Sequence, residues 1–271
     1  MYKKEQFFHG TALFFYIFKL LYFTNRRCNE QINFNFCNFA YICTLFLNCS
    51  GKKLQEQETI VEIINLPQPQ TKSSTSLEEA LTKRRSVREY SNEPITLKEI
   101  SQLLWAAYGI TQKVTDGQAS PREGLRTAPS AGALYPLEFY IVAGNINELN
   151  SGVYKYDSEN HRLKKVLDGD KRKDIYYASM QQEMFLQAPA MIVITANFSI
   201  TTVKYGDRGR DNYVWLNTGH SAQNICLQCV SLGLGTCTAG AFTDEKLYKI
   251  LNLPPEEEPI YLMPVGKKKQ K

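Results

Sequence analysis

Three segments carry residue types whose spacing could do chemistry. Lys83-Arg84-Arg85-Ser86-Val87-Arg88 places Arg84, Arg85 and Arg88 at the end of a predicted helix. Guanidinium groups are planar, always charged and donate in a fixed fork, and Ser86 adds a hydroxyl; such a set could hold a phosphate and the edge of a planar heterocycle. Taken alone, the run also fits a solvated basic helix end. The second segment, Ala128-Pro129-Ser130-Ala131-Gly132-Ala133-Leu134-Tyr135-Pro136, leads straight into a predicted strand. Its small residues let a backbone approach a ligand closely and offer it N–H and C=O groups; alone it is a loop of turn residues. The third runs from Gly233 to Phe242 and includes Gly240 and Ala241. It lacks the G-x-G-x-x-G spacing and opens no helix from a strand, so it is no dinucleotide fingerprint.

Sulfur and imidazole contribute less. Cys226, Cys229 and Cys237 form no even disulfide framework. The Cys226/Cys229 pair lies inside a helical pattern, away from the helix N-terminus that would lower a thiol pKa, and core packing is expected for it rather than a metal site with His220. His161 and His220 are expected in core or capping roles.

These segments need elements to position them. Ser76-Leu77-Glu78-Glu79 and Thr96-Leu97-Lys98-Glu99 read as capping boxes. The first opens a helix expected to turn Leu77, Ala80 and Leu81 inward. The second opens one carrying Ile100, Leu103, Leu104 and Ala107, stopped at Gly109. Residues 111–128 read as a loop. Strands are predicted at Ile60–Leu66, Leu137–Val142, Ala190–Ala196 and Ile260–Val265, with a hairpin of Gly152–Tyr156 and Arg162–Val166 across Asp157–Asn160. Helices are predicted at Tyr213–Leu232 and Asp244–Leu251. The mixture lacks a regular βαβ alternation, so the fold class is α+β in one domain.

At 43% hydrophobic and 22% charged residues over 271 positions, the chain can bury a core, which argues against disorder. Its net charge of +5 comes from scattered Lys and Arg with no basic stripe, which argues against nucleic acid. The N-terminal composition differs from the rest. Phe is concentrated at or before Phe46, and an apolar run ends in Leu45-Phe46-Leu47-Asn48-Cys49-Ser50-Gly51. Residues 1–50 are therefore set aside as a leader, 51–75 as a linker and 76–271 as the domain. Three readings of the leader stay open: a lipoprotein signal tethering the protein to a membrane through Cys49, upstream DNA translated from a misplaced start, or a membrane anchor. Location is accordingly either membrane-anchored or cytoplasmic.

In this order the three segments, with Gly219-His220-Ser221-Ala222-Gln223-Asn224 before Gly233-Leu234-Gly235, resemble the FMN-dependent nitroreductase family over residues 76–267. Ser130–Pro136, and Gly152–Asp157 with His161 and Leu163, are similar to its SagB-type dehydrogenase branch. The resemblance implies a central, mostly antiparallel sheet flanked by helices, in an interlocked homodimer with FMN at the interface. It implies that Arg84, Arg85, Ser86 and Arg88 contact the phosphate, ribityl chain and pyrimidine. Pro129, Ser130, Ala131, Gly132 and Ala133 would line the ring from the other subunit. The backbone of Gly240 and Ala241 would face N5 and O4, and Lys267 would complete the phosphate site. The implied activity is ping-pong hydride transfer from NAD(P)H through FMN to a nitro, quinone or similar small acceptor. The alternatives are an azoline-type dehydrogenation of a peptide and an envelope-anchored flavin-binding protein with little turnover. The cofactor carries the hydride, so no side chain is assigned a catalytic role; Tyr135 is expected to shape the substrate face. Where relatives carry a carboxylate before the Gly-His pair, this chain has Asn217-Thr218.

Overall fold

The computed structural model describes residues 62–114 and 124–270. The leader, Cys49 and part of the linker lie outside the described residues. Among the described residues no helix is long and apolar enough to cross a membrane. The chain runs through β1 (Ile63–Asn65), α1 (Leu77–Lys83), β2 (Ile95–Thr96), α2 (Leu97–Tyr108), β3 (Ile110–Lys113) and β4 (Gly124–Arg126). A 3-10 turn at Ala131–Ala133 precedes β5 (Leu137–Ala143), β6 (Ile146–Asn147), β7 (Gly152–Asp157) and β8 (Arg162–Asp168). Then come α3 (Arg172–Ala178), α4 (Met184–Gln187), β9 (Ala190–Ala196), α5 (Ser199–Tyr205) and a π-helical turn at Gly209–Tyr213. The chain closes with α6 (Val214–Ser231), β10 (Leu234–Thr236), α7 (Asp244–Leu251) and β11 (Glu258–Lys267).

Seven strands form one sheet in the order β1-β8-β7-β5-β9-β11-β10. Every pairing in it is antiparallel. The central strands are apolar on both faces because both faces are covered. From β5, Leu137, Phe139 and Ile141 enter the core shared with α2 and α6, while Tyr140 and Val142 enter the core shared with α3, α4 and α7. β9 alternates the same way, Ile192 and Ile194 against Met191 and Val193, as a strand period of two requires. In β11 the register shifts between Pro259 and Tyr261, and Ile260 and Met263 then share one face although they are an odd three positions apart.

Local chemistry sets the helix ends. Thr96 and Glu99 close a full capping box on α2, as read from the sequence, whereas Ser76 only accepts from the Glu79 N–H. α2 ends at Gly109, which turns to extended backbone and has no room for a side chain because a Cβ there would run into the Trp105 ring. Four expectations need correction. The strand expected within Ile60–Leu66 forms as the edge strand β1, but the residues after it, read as linker, are bound to the domain, where Gln70 exchanges hydrogen bonds with Gln102 of α2. Residues 111–113 and 124–126, read as loop, lie in the paired strands β3 and β4. The short helices α3, α4 and α5 carry no capping box to announce them. Finally, α1 turns only Ala80 inward; Leu77 is 61% and Leu81 51% exposed. A seven-residue helix resting on α6 by one alanine has no second layer to cover its leucines.

Candidate cofactor site

The arginine run leaves α1 as extended backbone and lies along the sheet edge. The Val87 N–H donates to the Thr236 carbonyl at 3.0 Å and Ser86 bridges Thr236. Farther on, the Ser91 N–H donates to the Lys267 carbonyl at 2.9 Å and Tyr90 bridges Lys268. The buried Tyr90 hydroxyl sits between the carbonyls of Val87 (2.7 Å) and Pro264 (3.1 Å). An extended run sends alternate side chains to opposite faces, separating Arg84, Ser86 and Arg88 from Val87. Val87 packs on Gly235, where a Cβ would meet it at 2.7 Å.

The four positively charged candidates are not equivalent. Arg85 folds back, its Nη1 donating to the carbonyls of Thr82 (2.9 Å) and Arg84 (2.7 Å), and so caps the C-terminus of α1. Lys267 pairs with Glu93 at 2.8 Å, which raises the pKa of the lysine. The guanidinium groups of Arg84 and Arg88 have no hydrogen-bond or ion-pair partner among the described residues. Their charges act on sulfur: burial pushes up the pKa of Cys226, Cys229 and Cys237, with Arg84 pulling against it at Cys226 and Arg88 at Cys237. Lys268, which the sequence reading did not single out, pulls the same way on Cys229 and has no ion pair among the described residues. The thiols are therefore packing groups rather than thiolates; Cys229 and Cys237 are buried and Cys226 half-buried.

Gly240 and Ala241 lie one strand over. The exchange of 2.9 Å hydrogen bonds between Ala239 and Leu262 holds the approach, and both following residues are exposed. The arginine run and the approach to Gly240–Ala241 thus attach to the same edge of the sheet, the first at Thr236 and Lys267 and the second at Leu262.

The Pro129–Ala133 loop is anchored elsewhere, on the first half of α6. Asn217, buried, donates from Nδ2 to the Pro129 carbonyl at 2.9 Å and accepts from the Tyr108 hydroxyl at 3.2 Å. Here an amide does what a carboxylate could not, since it must donate and accept at once. His220 donates through Nδ1–H to the same carbonyl at 3.3 Å. Within the loop, the Ser130 hydroxyl accepts from the Tyr135 N–H at 3.0 Å. Gly132 takes φ 61° under Tyr205 and Lys204 of α5, so a side chain would meet both strain and contact. Tyr135 is not on a substrate face. It is 3% exposed, its ring stands edge-on to Tyr108, and its hydroxyl accepts from the Arg126 N–H. His161 has the expected core role, bonded to Ser101 and Tyr156, and burial lowers its pKa. Asn217 and Cys226 are nine residues apart on α6, so the loop's anchor and the arginine region stand about 13 Å apart along the helix.

An α+β domain with this seven-stranded antiparallel sheet, helices on both faces and a basic extended edge defines a nitroreductase-like fold. The sequence profile of the Nitroreductase family matches residues 81–267, and the chain belongs to that family. It is therefore a nitroreductase-family oxidoreductase. More particularly, it is 44% identical over 192 residues to MJ1384 of Methanocaldococcus jannaschii, a protein named as a candidate nitroreductase, covering 71% of this chain and 91% of that one. A crystal structure of a protein of Ralstonia eutropha, also named as a candidate nitroreductase, superposes with a TM-score of 0.63 at 28% identity, over 77% of this chain and 90% of that one. The trifolitoxin operon protein TfxC of Rhizobium leguminosarum bv. trifolii is 24% identical over 69% of this chain; the match spans 54% of TfxC.

Proposed function

We propose that the protein binds FMN between two copies of the chain and passes reducing equivalents from a reduced nicotinamide to a small acceptor such as a nitro compound or quinone. The observation that carries this reading is the pair of guanidinium groups, Arg84 and Arg88, that have no partner among the described residues, on an edge whose backbone is bonded to the sheet through Val87 and Ser91. The donor set fits a phosphate: two guanidinium forks and the buried Thr236 hydroxyl, all without a partner among the described residues, and Lys268, which bridges Tyr90 at the end of the same run. Lys268 suits the role proposed for Lys267 better, because Lys267 is engaged by Glu93. Arg85, spent on the helix end, supports the edge rather than the ligand.

When bound, FMN would supply two-electron chemistry, taking a hydride from the nicotinamide and giving electrons to the acceptor. The chain's own part is binding and orientation. Arg84, Ser86 and Arg88 hold the phosphate, ribityl and pyrimidine edge, and the backbone of Gly240 and Ala241 meets the N5 side. The Pro129–Ala133 loop lines a ring held by the partner copy. Two features support a second copy. The loop and the arginine edge face outward at separate places on α6, and Trp215 (51%) and Leu216 (57%) of α6 are exposed with Leu77 and Leu81. A homodimer that covers them completes the site.

The likeness to TfxC, a toxin-operon protein, favours one second reading, in which a peptide azoline gives up the hydride instead. Anaerobic addition of NADH, NADPH or an azoline peptide to the purified full-length protein, followed at the flavin absorption band, separates the two. Bleaching by a nicotinamide and recovery with a quinone is the expected result. A flavin that stays oxidised with both nicotinamides but bleaches with the peptide would replace the first reading by the second.

A further inference from the structure

Between β9 and α6 the chain twice departs from regular helix. α5 ends at Gly206, whose φ of 57° and ψ of −145° lie where essentially only glycine goes. Gly209–Tyr213 then forms the π-helical turn, a geometry frequent at functional sites. Together they gather Lys204, Tyr205, Arg208 and Tyr213. The Tyr205 and Tyr213 rings meet edge to face at 4.9 Å. Lys204 Nζ lies 5.4 Å from the Tyr205 ring centre. The Arg208 guanidinium lies 5.5 Å from that of Tyr213, and its Nε donates to the Tyr213 hydroxyl at 3.1 Å.

This cluster borders the loop that the proposed function sets against the flavin ring. A Cβ on Gly132 would stand 2.6 Å from the Tyr205 hydroxyl oxygen and 2.9 Å from Lys204 Nζ. Among the described residues neither Lys204 nor Arg208 pairs with a carboxylate, and Asp207 and Asp211 on the same turn pair with neither. Arg210 differs, since both its terminal nitrogens are taken by Glu258 at 3.0 and 2.9 Å.

Two cations with no carboxylate partner among the described residues, set beside two aromatic rings, suit a phosphorylated purine nucleoside. The rings offer faces and edges to the base, and a phosphate dianion takes the ammonium and guanidinium. Of the two reduced nicotinamide dinucleotides, only NADPH carries a terminal phosphate dianion, on the 2′ oxygen of its adenosine ribose. We propose that Lys204 and Arg208, framed by Tyr205 and Tyr213, bind the ribose 2′-phosphate of NADPH and make it the preferred reductant. The redox balance is unchanged: the nicotinamide C4 gives up a hydride, leaving NADP+, and bound FMN takes both electrons. The inference rests on the flavin reading above, but its binding half can be tested without turnover.

The experiment uses the full-length protein in two arms. Calorimetry compares adenosine 2′,5′-bisphosphate with adenosine 5′-monophosphate, on the wild type and on the Lys204→Ala/Arg208→Ala double variant. Steady-state kinetics measure the NADPH-to-NADH ratio of kcat/KM for both proteins. The expected result is at least about tenfold tighter binding of the bisphosphate by the wild type, the size of one charge-assisted contact. The double variant should lose that preference and show a matching fall in the NADPH-to-NADH ratio. Equal affinity for the two nucleotides in the wild type, or a preference that survives the double substitution, would overturn the assignment. If the bisphosphate preference is found and lost as expected but neither dinucleotide reduces the flavin, the phosphate site stands and the reductase reading fails.

Discussion

At Arg84–Arg88 the backbone is committed and the side chains are left free; at Pro129–Ala133 side chains do the fixing and much of the backbone is left free. The arginine edge is stitched to β10 and β11 by N–H donors from Val87 and Ser91 and clasped by Tyr90. The loop is held by Asn217 and His220 at one carbonyl and by the Ser130 hydroxyl inside it. The difference matches what each would offer a flavin: charged forks for a phosphate in one place, close-lying main chain for a flat ring in the other. It also says where substitutions should be felt. On the edge, changing a side chain should cost ligand and spare the fold. Under the loop, it should cost the fold first.

The largest effect expected is at the edge. Arg84→Ala and Arg88→Ala should each lose roughly 1.5–3 kcal/mol of FMN binding, about one to two decades in dissociation constant. Their unfolding midpoints should stay near wild type, as surface changes do. Fluorescence titration of FMN beside chemical denaturation reads both numbers, and wild-type affinity in both variants would show a merely solvated helix end. The opposite pattern is expected of Asn217→Asp. It removes the donor facing the Pro129 carbonyl and sets a carboxylate against it, at a cost of about 1–3 kcal/mol of folding stability. An Asp variant as stable as wild type would remove the amide's claimed role.

Gly132→Ala sharpens the comparison within the loop. Left-handed backbone costs a side chain about 1–2 kcal/mol, and the new methyl would press on Tyr205 and Lys204. Stability should fall by about that amount, with a further effect on flavin absorbance because the loop backbone shifts; an unchanged melting curve and spectrum would contradict the placement. Smallest is Tyr90→Phe. Losing the hydroxyl clasp should cost about 1 kcal/mol and weaken FMN severalfold by loosening the edge. If FMN affinity does not move, the backbone bonds to Thr236 and Lys267 suffice to hold the arginines.

The sequence carried the scaffold well where one interaction dominates. Ala190–Ala196 reads as a strand because a doubly covered strand must be continuously apolar, and Thr96 with Glu99 marks a helix start because the box is local. It did less well where the outcome depends on distant neighbours. Nothing near Lys267 reveals that Glu93, 174 positions away, takes up its charge. Leu77 and Leu81 have the spacing of a buried face, yet which side of α1 is covered depends on where α6 lies. Tyr135 follows a run of small, mostly half-buried residues but turns into the core beneath Arg126. The Lys204–Tyr213 cluster left one trace, Gly206 and Gly209 in a run that holds three cations and two tyrosines, and its meaning came only with its position over Gly132.

The central claim is that Arg84 and Arg88 exist to hold the phosphate of a flavin mononucleotide. It is tested most directly by purifying the full-length protein and identifying and counting the flavin released on denaturation. The account predicts a yellow protein that releases FMN, not FAD, at one per chain. A colourless protein that cannot be loaded with added FMN, or one that releases FAD, would contradict it.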